Sequence, residues 1–477
     1  MAGNVKKGFG TYLLILLLSV VAAFLIICVV MIFQPFKVIM GYKFFTYGET
    51  TPFEYQLTTD NTDINFREKD IIRISSNYAN IKIEKNPRVE DEVAVVVRSN
   101  AKGFAKSAQN TDFSYSISTS IEDGKKILDI SVKEPQGSLF FQKDIEIDFY
   151  VPYYDTTNGS HDISGKEFII TTQSGSVFIG NQKAVNEENS SKTHSLSNIN
   201  PSNLTVQTGS GQVYIYPNFN STNLENLTLR TQSGNIKIFD SLTISRALAM
   251  HTESGTITAK TLDCMGENEV TLNNGKLIAD IFKGKLNLTI KNGELNVTNI
   301  YGSLISNNAS ISASNARIIV DNVSKDVSLP FLGNSYVLIG KIGGQAYLEG
   351  EGANINLKEI AGESWVKTTT GSIYVYTTGK DVFAQSTTGE IEVFYASNVI
   401  ANDIKFASTK GQINLHLLPS LSYKMNVYDL NGSLRTNDVK VEPFEEYSNP
   451  LVVNSGINEI IFTSNGKINV SLFTLSA

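Results

Sequence analysis

Apolar and polar side chains alternate with a period of two along most of the chain after residue 45. In "GSIYVY" the alternation puts Ile373 and Val375 on one face and Tyr374 and Tyr376 on the other, because successive side chains of a β-strand point to opposite faces. One aliphatic face and one polar or aromatic face are typical of a half-buried strand. We therefore expect Ile373 and Val375 to lie in a core and the two tyrosines to face outward.

The alternating segments recur at nearly even intervals, each after a Ser/Thr-rich step and a glycine. The copies include "TTQSGSVFIG", "VQTGSGQVYIY", "LRTQSGNIKIF", "MHTESGTITA", "VKTTTGSIYVY" and "AQSTTGEIEVF". In "GQVYIY", Val213 and Ile215 take the predicted core face, and Tyr214 and Tyr216 take the other face. Self-similarity at a period of about 20 residues is the signature of a solenoid.

Each repeat contains two short strands separated by the glycine step. Because glycine reaches positive φ without steric cost, the step predicts a sharp turn with glycine in that conformation. A two-strand unit cannot bury its aliphatic face alone, so units stack, and stacking completes the parallel ladders. The pattern predicts an all-β fold, a parallel β-solenoid of about fourteen short coils.

The N-terminus has a different pattern. Residues 11–33 carry no charge, and a run of this length crosses the hydrocarbon core of about 30 Å as a helix. It exceeds the apolar region of about 7–15 residues of a signal peptide, and no cleavage site follows it. We predict a single uncleaved transmembrane helix over residues 11–34; the alternative is a cleaved signal peptide. A single N-terminal anchor before a long polar chain favours export of that chain, although lysines flank the run on both sides.

The remaining chain divides by its patterning. We predict a cytoplasmic tail (1–10), the transmembrane helix (11–34), a juxtamembrane linker (35–46), a β-rich N-terminal cap with an imperfect first coil (47–165), solenoid repeats (166–437) with an inserted loop (181–203), and a terminal coil with a C-terminal cap (438–477). The caps are expected to cover the open sheet edges of the rod.

Charge and motifs exclude several classes of function. The net charge is −7 and no basic run occurs, so a nucleic-acid partner is not expected. Of the two cysteines, Cys28 falls in the apolar run, which leaves Cys264 without a disulfide partner in the rod. No phosphate-binding loop, zinc motif or nucleophile elbow is present. The sequence therefore predicts no cofactor, no metal and no small-molecule substrate.

Outward carboxylates are the candidates for metal binding or catalysis. In "DIEID", Asp144, Glu146 and Asp148 share one side of a strand. This arrangement fits either a weak calcium site or, more simply, a solvated strand face. Polysaccharide enzymes with this fold need paired carboxylates on adjacent coils, but Glu392 stands alone among the outward positions after the glycine. We predict a non-enzymatic protein with incidental histidines.

Outward aromatic residues are the best candidates for ligand contact. They are Phe178, Tyr214, Tyr216, Tyr374, Tyr376 and Phe394, and the four tyrosines are the predicted ligand-binding residues. Exposed aromatic side chains can stack on sugars or contact a partner protein. The alternative is that they stack across coils and only stabilise the sheet.

The motifs "SSNYANIKI", "DIEIDFYVP" and "FIITTQSGSVFIG", followed by serial T-x-S-G-x-I coils, resemble the bacterial putative adhesin family over about residues 70 to 440. The resemblance implies a β-solenoid of the bacterial envelope, of a kind often found behind one transmembrane helix, with a role in extracellular binding. The ligand that we expect is a glycan or an envelope protein. We expect a membrane-anchored, extracytoplasmic, non-catalytic adhesion or binding protein. The alternatives are an envelope scaffold that assembles through its solenoid and, more distantly, a polysaccharide-active enzyme.

Overall fold

The computed structural model describes residues 6–32, 38–39, 42–48, 53–57, 68–85, 93–105, 114–133, 138–151, 166–180, 201–217, 224–306, 315–378, 381–398, 403–428, 434–436, 439–440, 451–453 and 458–473. One helix, α1, runs over Lys6–Ile32. Across these described ranges, no helix combines the length and apolarity that a membrane crossing requires. The transmembrane helix predicted over residues 11–34 is therefore not shown.

The rest of the described chain is β-structure. Its strands are β1 (Val38–Ile39), β2 (Tyr42–Gly48), β3 (Phe53–Leu57), β4 (Ile71–Ser76), β5 (Asn80–Lys85), β6 (Val93–Ala105), β7 (Ser114–Glu122), β8 (Lys125–Lys133), β9 (Ser138–Val151), β10 (Glu167–Thr172), β11 (Val177–Ile179), β12 (Asn203–Thr208), β13 (Val213–Ile215), β14 (Asn226–Thr231), β15 (Ile236–Ile244), β16 (Ala247–Thr252), β17 (Thr256–Cys264), β18 (Glu267–Leu272), β19 (Lys276–Lys283), β20 (Leu286–Ile290), β21 (Glu294–Tyr301), β22 (Leu304–Ile305), β23 (Arg317–Val323), β24 (Val327–Leu329), β25 (Tyr336–Ile342), β26 (Ala346–Gly350), β27 (Asn354–Ile360), β28 (Ser364–Thr368), β29 (Ile373–Thr377), β30 (Val382–Ser386), β31 (Ile391–Tyr395), β32 (Asp403–Ser408), β33 (Ile413–Leu417), β34 (Tyr423–Tyr428), β35 (Leu434–Thr436), β36 (Val439–Lys440), β37 (Leu451–Val453), β38 (Asn458–Ser464) and β39 (Ile468–Leu472).

The strands form two long sheets, parallel over most of their length, and each coil gives one strand to each sheet. In one sheet, β10 pairs with β12 from Glu167↔Asn203 to Thr172↔Thr208. In the other, β11 pairs with β13 from Val177↔Val213 to Ile179↔Ile215. The predicted all-β parallel solenoid is confirmed, whereas the count of about fourteen coils stays a prediction.

The core lies between the two sheets as one continuous apolar cluster. Val213, Ile215, Ile373 and Val375 are all buried in it, so the predicted inward face is confirmed. Inward positions repeat in register from coil to coil, so each aliphatic side chain packs on its equivalent in the next coil. Such a column removes apolar surface from water at about 25 cal/mol per Å².

Several strands of the second sheet bend in the middle. In β15 the pairing with β17 shifts between Ile238 and Ser241. Ile236 and Ile238 are buried before the shift, and Leu242 and Ile244 after it. The buried positions of β15 keep their phase across the shift, because β15 has one residue more there than β17. In β17 the buried positions change phase, from Ile257 and Ala259 to Leu262 and Cys264. Such an extra residue is typical of a β-bulge, and both halves of each strand contribute to the core.

The glycine of the repeat has a different role from the one predicted. Positive φ occurs at Gly124, Gly180, Gly284 and Gly333, and these positions do not include the repeated turn glycines. A Cβ on Gly211 would lie 1.7 Å from the carbonyl oxygen of Gly175 in the preceding coil. The prediction of positive φ at this step is therefore wrong: glycine is needed because the stacked backbones approach too closely for a side chain.

The threonine of the T-x-S-G step completes this turn. The Gly255 N–H donates to Thr252 Oγ1 at 2.7 Å, and the Gly234 N–H donates to Thr231 Oγ1 at 2.8 Å. Both threonines are buried, so their hydroxyls satisfy backbone groups that water does not reach.

Coil order in space departs from chain order at both ends. The first coil in sequence, β4 with β5, lies between the coil of β8 with β9 and the coil of β10 with β11. The last strands, β38 and β39, likewise lie between β32 with β33 and β34 with β35. Antiparallel strands cover the outermost coils: β7 and β6 at one end, β37 and β36 at the other.

Candidate functional site

The first pair of predicted tyrosines lies in an aromatic group that spans three coils. The Tyr214 ring stacks on Phe178 of the preceding coil, with centroids 5.2 Å apart. Tyr216 stacks on Phe239 of the following coil at 5.0 Å, and it is only 5% exposed. Burial raises the pKa of Tyr216, and Lys237 Nζ lies 4.4 Å from the centroid of Phe239. Tyr214 is half-buried, so it presents more surface to a ligand than Tyr216 does.

The second pair lies in a similar group toward the C-terminal end. Tyr374 and Tyr376 contact Phe394 of the next coil, with centroids 5.6 and 6.4 Å apart. Phe394 in turn stacks on His416 at 4.0 Å, and His416 Nδ1 lies 2.7 Å from Ser471 Oγ. Both tyrosines are half-buried. Cross-coil stacking therefore occurs in both groups, and ligand contact by the four tyrosines stays a prediction.

A third aromatic group, on the opposite sheet, was missed in the sequence. Tyr347, Trp365 and Phe383, here called the Trp365 column, stack in register on β26, β28 and β30. The centroids are 4.5 Å apart from Tyr347 to Trp365 and 5.4 Å apart from Trp365 to Phe383, with planes within about 10°. Each ring is the second residue of three successive strands before the glycine. That regularity is present in the sequence, but in the strands that precede the glycine, whereas the predicted outward aromatic residues all follow it.

A groove of about 440 Å³ runs beside the Trp365 column. Its lining also includes Lys405 of β32 and the residues directly before β26, β28 and β30, which are Gln345, Glu363 and Asp381. Gln345 Nε2 donates to Glu363 Oε2 at 3.4 Å. Aromatic carbon together with a few amide and charged groups is typical of a small binding site.

Charges close to the column are balanced. Lys367 Nζ lies 2.8 Å from Glu349 Oε1 and 6.0 Å from the centroid of Trp365. The hydrogen bond to Glu349 raises the pKa of Lys367. The Tyr347 hydroxyl donates to Glu349 Oε2 at 3.4 Å, and the pKa of Tyr347 is raised by burial and then by the Glu349 charge. Tyr347 therefore stays neutral at physiological pH.

The acidic strand "DIEID" is paired with cations. Glu146 Oε1 lies 2.9 Å from Lys82 Nζ, and Asp148, which is 2% exposed, contacts Arg98. Among the described residues no group of three or more His, Cys, Asp or Glu side chains could hold a metal ion. Glu146 and Asp148 thus form part of an ion-pair network, which differs from both a calcium site and a freely solvated face.

A larger groove of about 810 Å³ lies on the sheet of the Trp365 column, toward the N-terminal end of the solenoid. Its lining is mostly Ser, Thr and Gln, with Arg230, His251 and Glu253. His251 Nε2 lies 2.8 Å from Glu253 Oε1, and the pKa of Glu253 is lowered by hydrogen bonds from Asn273 and then from His251. Cys264 points into the core instead and is fully buried, which raises its pKa. His161 and His194 lie outside the described residues.

Solved structures similar to this chain include three bacterial proteins. A "putative cell adhesion protein" from Clostridium sporogenes is 10% identical, with 89% of this chain and 100% of that chain covered and a TM-score of 0.13. "Putative adhesins" from Parabacteroides merdae and Parabacteroides distasonis are 10% and 9% identical, cover 90% and 89% of this chain and 98% of each of theirs, and give TM-scores of 0.20 and 0.18. Scores this low carry no argument about what this chain binds.

No curated protein matches the chain. The family model described as Toastrack DUF4097 matches residues 220–471, which is more than half of the 477 residues. The match spans the coils from β14 to β39, and it confirms the resemblance to the adhesin-type solenoid family. The chain belongs to the Toastrack DUF4097 family.

Proposed function

We propose that this protein is a non-catalytic binding protein of the bacterial cell envelope, whose solenoid adheres to a glycan or a partner protein outside the cytoplasm. The observation that carries the proposal is the set of aromatic groups on the outer faces of a rigid two-sheet scaffold. Aromatic side chains are enriched where proteins bind other molecules. Binding residues are also best positioned on rigid elements.

The proposal includes an N-terminal membrane anchor. The described side chains of α1, from residue 14 to residue 27, are exposed, and the large apolar ones are between 45% and 66% exposed. Such a surface in water is unfavourable, and lipid would cover it. We place residues 1–10 in the cytoplasm, residues 11–34 in the membrane and the solenoid outside.

The anchor and its orientation are tested together on cells that produce the full chain. We expect the protein to stay with membranes after an alkaline carbonate wash, and the solenoid to be digested when protease is added to intact protoplasts. Release by carbonate would contradict the anchor. Protection of the solenoid until the membrane is lysed would contradict the orientation.

Binding by the predicted tyrosines is tested by substituting tyrosines whose side chains differ in exposure. We expect Tyr214→Ser combined with Tyr374→Ser and Tyr376→Ser to weaken binding of the full chain to isolated cell-wall material, with little change in melting temperature. Tyr216→Ser is the packing control, because its nearly buried ring should affect stability instead. If the triple variant binds as well as the wild type, these tyrosines only stack across coils.

A further inference from the structure

The Trp365 column ends at an uncovered ring. One face of Tyr347 stacks on Trp365, whereas its register partner in the preceding coil is Ser328. Ser328 is too small to cover a phenol ring, and Tyr347 is 39% exposed while Trp365 and Phe383 are half-buried. Among the described residues, no ring contacts the second face of Tyr347. The stack therefore stops one ring short, with a flat aromatic face open above Ser328.

A second exposed ring lies on the coil of Ser328. Phe331 follows Ser328 by three residues and is 41% exposed. Two exposed aromatic side chains thus lie on neighbouring coils, and one of them, Tyr347, lines the groove of about 440 Å³. Exposed aromatic side chains that are clustered mark interaction surfaces more often than single ones do.

The geometry favours one class of ligand. A cationic amine is best held by several ring faces arranged as a cage. Here the three rings are parallel and cover one another, so only the two terminal faces of the stack are left. The register partner of Phe383 at one end is the long side chain of Lys405, whereas that of Tyr347 at the other end is Ser328. The face of Tyr347 is therefore the open one, and a single flat face suits the C–H face of a sugar ring. The π-face is negative and attracts the weakly positive C–H groups.

The charges around the column point to a neutral sugar. Lys367 and Glu349 already pair with each other, so neither adds a free charge beside the open face. Glu363 and Gln345 in the groove lining offer carboxylate and amide groups, which accept and donate hydrogen bonds to hydroxyls. The lining contains two carboxylates, Glu363 and Asp381, and one ammonium group, Lys405, so its net charge is negative and disfavours an acidic glycan.

We propose that the open face of Tyr347, with the groove beside the Trp365 column, binds a neutral hexose-containing glycan. The glycan stacks one pyranose ring on Tyr347 in the place that a fourth aromatic side chain would occupy, and the adjoining sugars follow the groove. This inference rests on the proposed binding function, because it names the ligand class and one site for it.

The chain supplies its own reporter for this site. Trp365 is the single tryptophan and lies in the middle of the column, so its fluorescence reports on the groove. The full chain, in a detergent without a sugar headgroup, is titrated with maltohexaose, cellohexaose, chitohexaose and mannohexaose. A hexauronate and choline serve as the acidic and cationic probes. We expect a saturable change with at least one neutral hexasaccharide and none with the other two probes.

Variants at Ser328 test the open face directly. Ser328→Phe adds the missing ring and should lower the affinity for the glycan by about 10-fold or more, with no loss of melting temperature. Ser328→Ala leaves the face open and should bind as the wild type does. Tyr347→Ala should also lower the affinity about 10-fold, whereas Tyr301→Ala, which removes an exposed ring from the other sheet, should have no effect.

The outcomes separate this inference from the proposed function. It is overturned if no neutral hexasaccharide changes the fluorescence, if only choline or the hexauronate does so, or if Ser328→Phe binds like the wild type. Retained binding to cell-wall material in any of these cases leaves the proposed function standing. If the protein binds the glycan but does not bind cell-wall material, the proposed function is wrong and the inference about Tyr347 still stands.

Discussion

Replacing Gly389 by alanine should disrupt the stacking of two coils. A Cβ at this position would lie 1.9 Å from the carbonyl oxygen of Gly371 and 2.9 Å from Ser386 Oγ. Carbon and oxygen need about 3 Å or more, and the obstructing atom is backbone, which no rotamer change moves. The two coils would therefore separate locally by about 1 Å.

The loss of stability follows from the hydrogen bonds that join these coils. Ile373 N–H donates to the Glu390 carbonyl at 2.9 Å, and Thr388 N–H donates to the Thr369 carbonyl at 3.0 Å. A separation of about 1 Å takes both beyond the range of about 3.2 Å in which such bonds are effective. Loss of two or three bonds at about 1 kcal/mol each gives a local destabilisation of about 2–3 kcal/mol.

Amide hydrogen exchange measures this effect where it occurs, since stability in a solenoid is shared mainly between neighbouring coils. The amides of Ile373 and Thr388 should exchange roughly 30- to 150-fold faster in Gly389→Ala. Gly352→Ala is the matched control, because its Cβ would meet the side-chain oxygen of Asn334 at 2.2 Å, and that amide can rotate away. Equal exchange in both variants would refute the argument that backbone contact requires glycine in this step.

Three further outcomes are expected. Val375→Asp should prevent or severely weaken folding, because an unpaired buried charge costs several kcal/mol, whereas Tyr376→Asp should be mild; equal losses in thermal melting would contradict the strand register. Cys264 should resist iodoacetamide in the native protein and react in urea, because it is buried and its pKa is raised; rapid native labelling would argue against the core position. Burial raises the pKa of Tyr395 from 10.0 to about 12, so the stability that its neutral form contributes is complete below pH 10 and is lost as the pH rises through about 12. The melting temperature of Tyr395→Phe should therefore fall less steeply between about pH 10 and pH 12 than that of the wild type, and an equal slope would contradict this linkage.

The repeating part of the fold followed from the sequence because its signals are local. Alternation within "GQVYIY" and "GSIYVY" fixed which side chains face the core, and the even spacing of the T-x-S-G steps indicated stacked coils. Both signals depend on residues close together in the chain. Val213 and Val375 could therefore be assigned to the core without any knowledge of which coil lies next to which.

Features that depend on neighbouring coils could not be derived in this way. Glycine is required at position 211 because of the carbonyl of Gly175, which lies in another coil. A purely local argument therefore predicted that glycine is needed at this step but attributed the need to positive φ. The open face of Tyr347 likewise depends on the identity of Ser328 in the coil before it. The register between coils has to be known before such a gap can be recognised.

Placement of the first and last coils inside their neighbours has a consequence for how this architecture evolves. A coil appended to either chain terminus would not lengthen the solenoid, because neither terminal coil in sequence is the outermost coil in space. Length can change only by duplication or deletion of internal coils, each of which adds or removes about 4.8 Å. Homologues of different length should therefore keep both ends intact and differ in the number of central repeats.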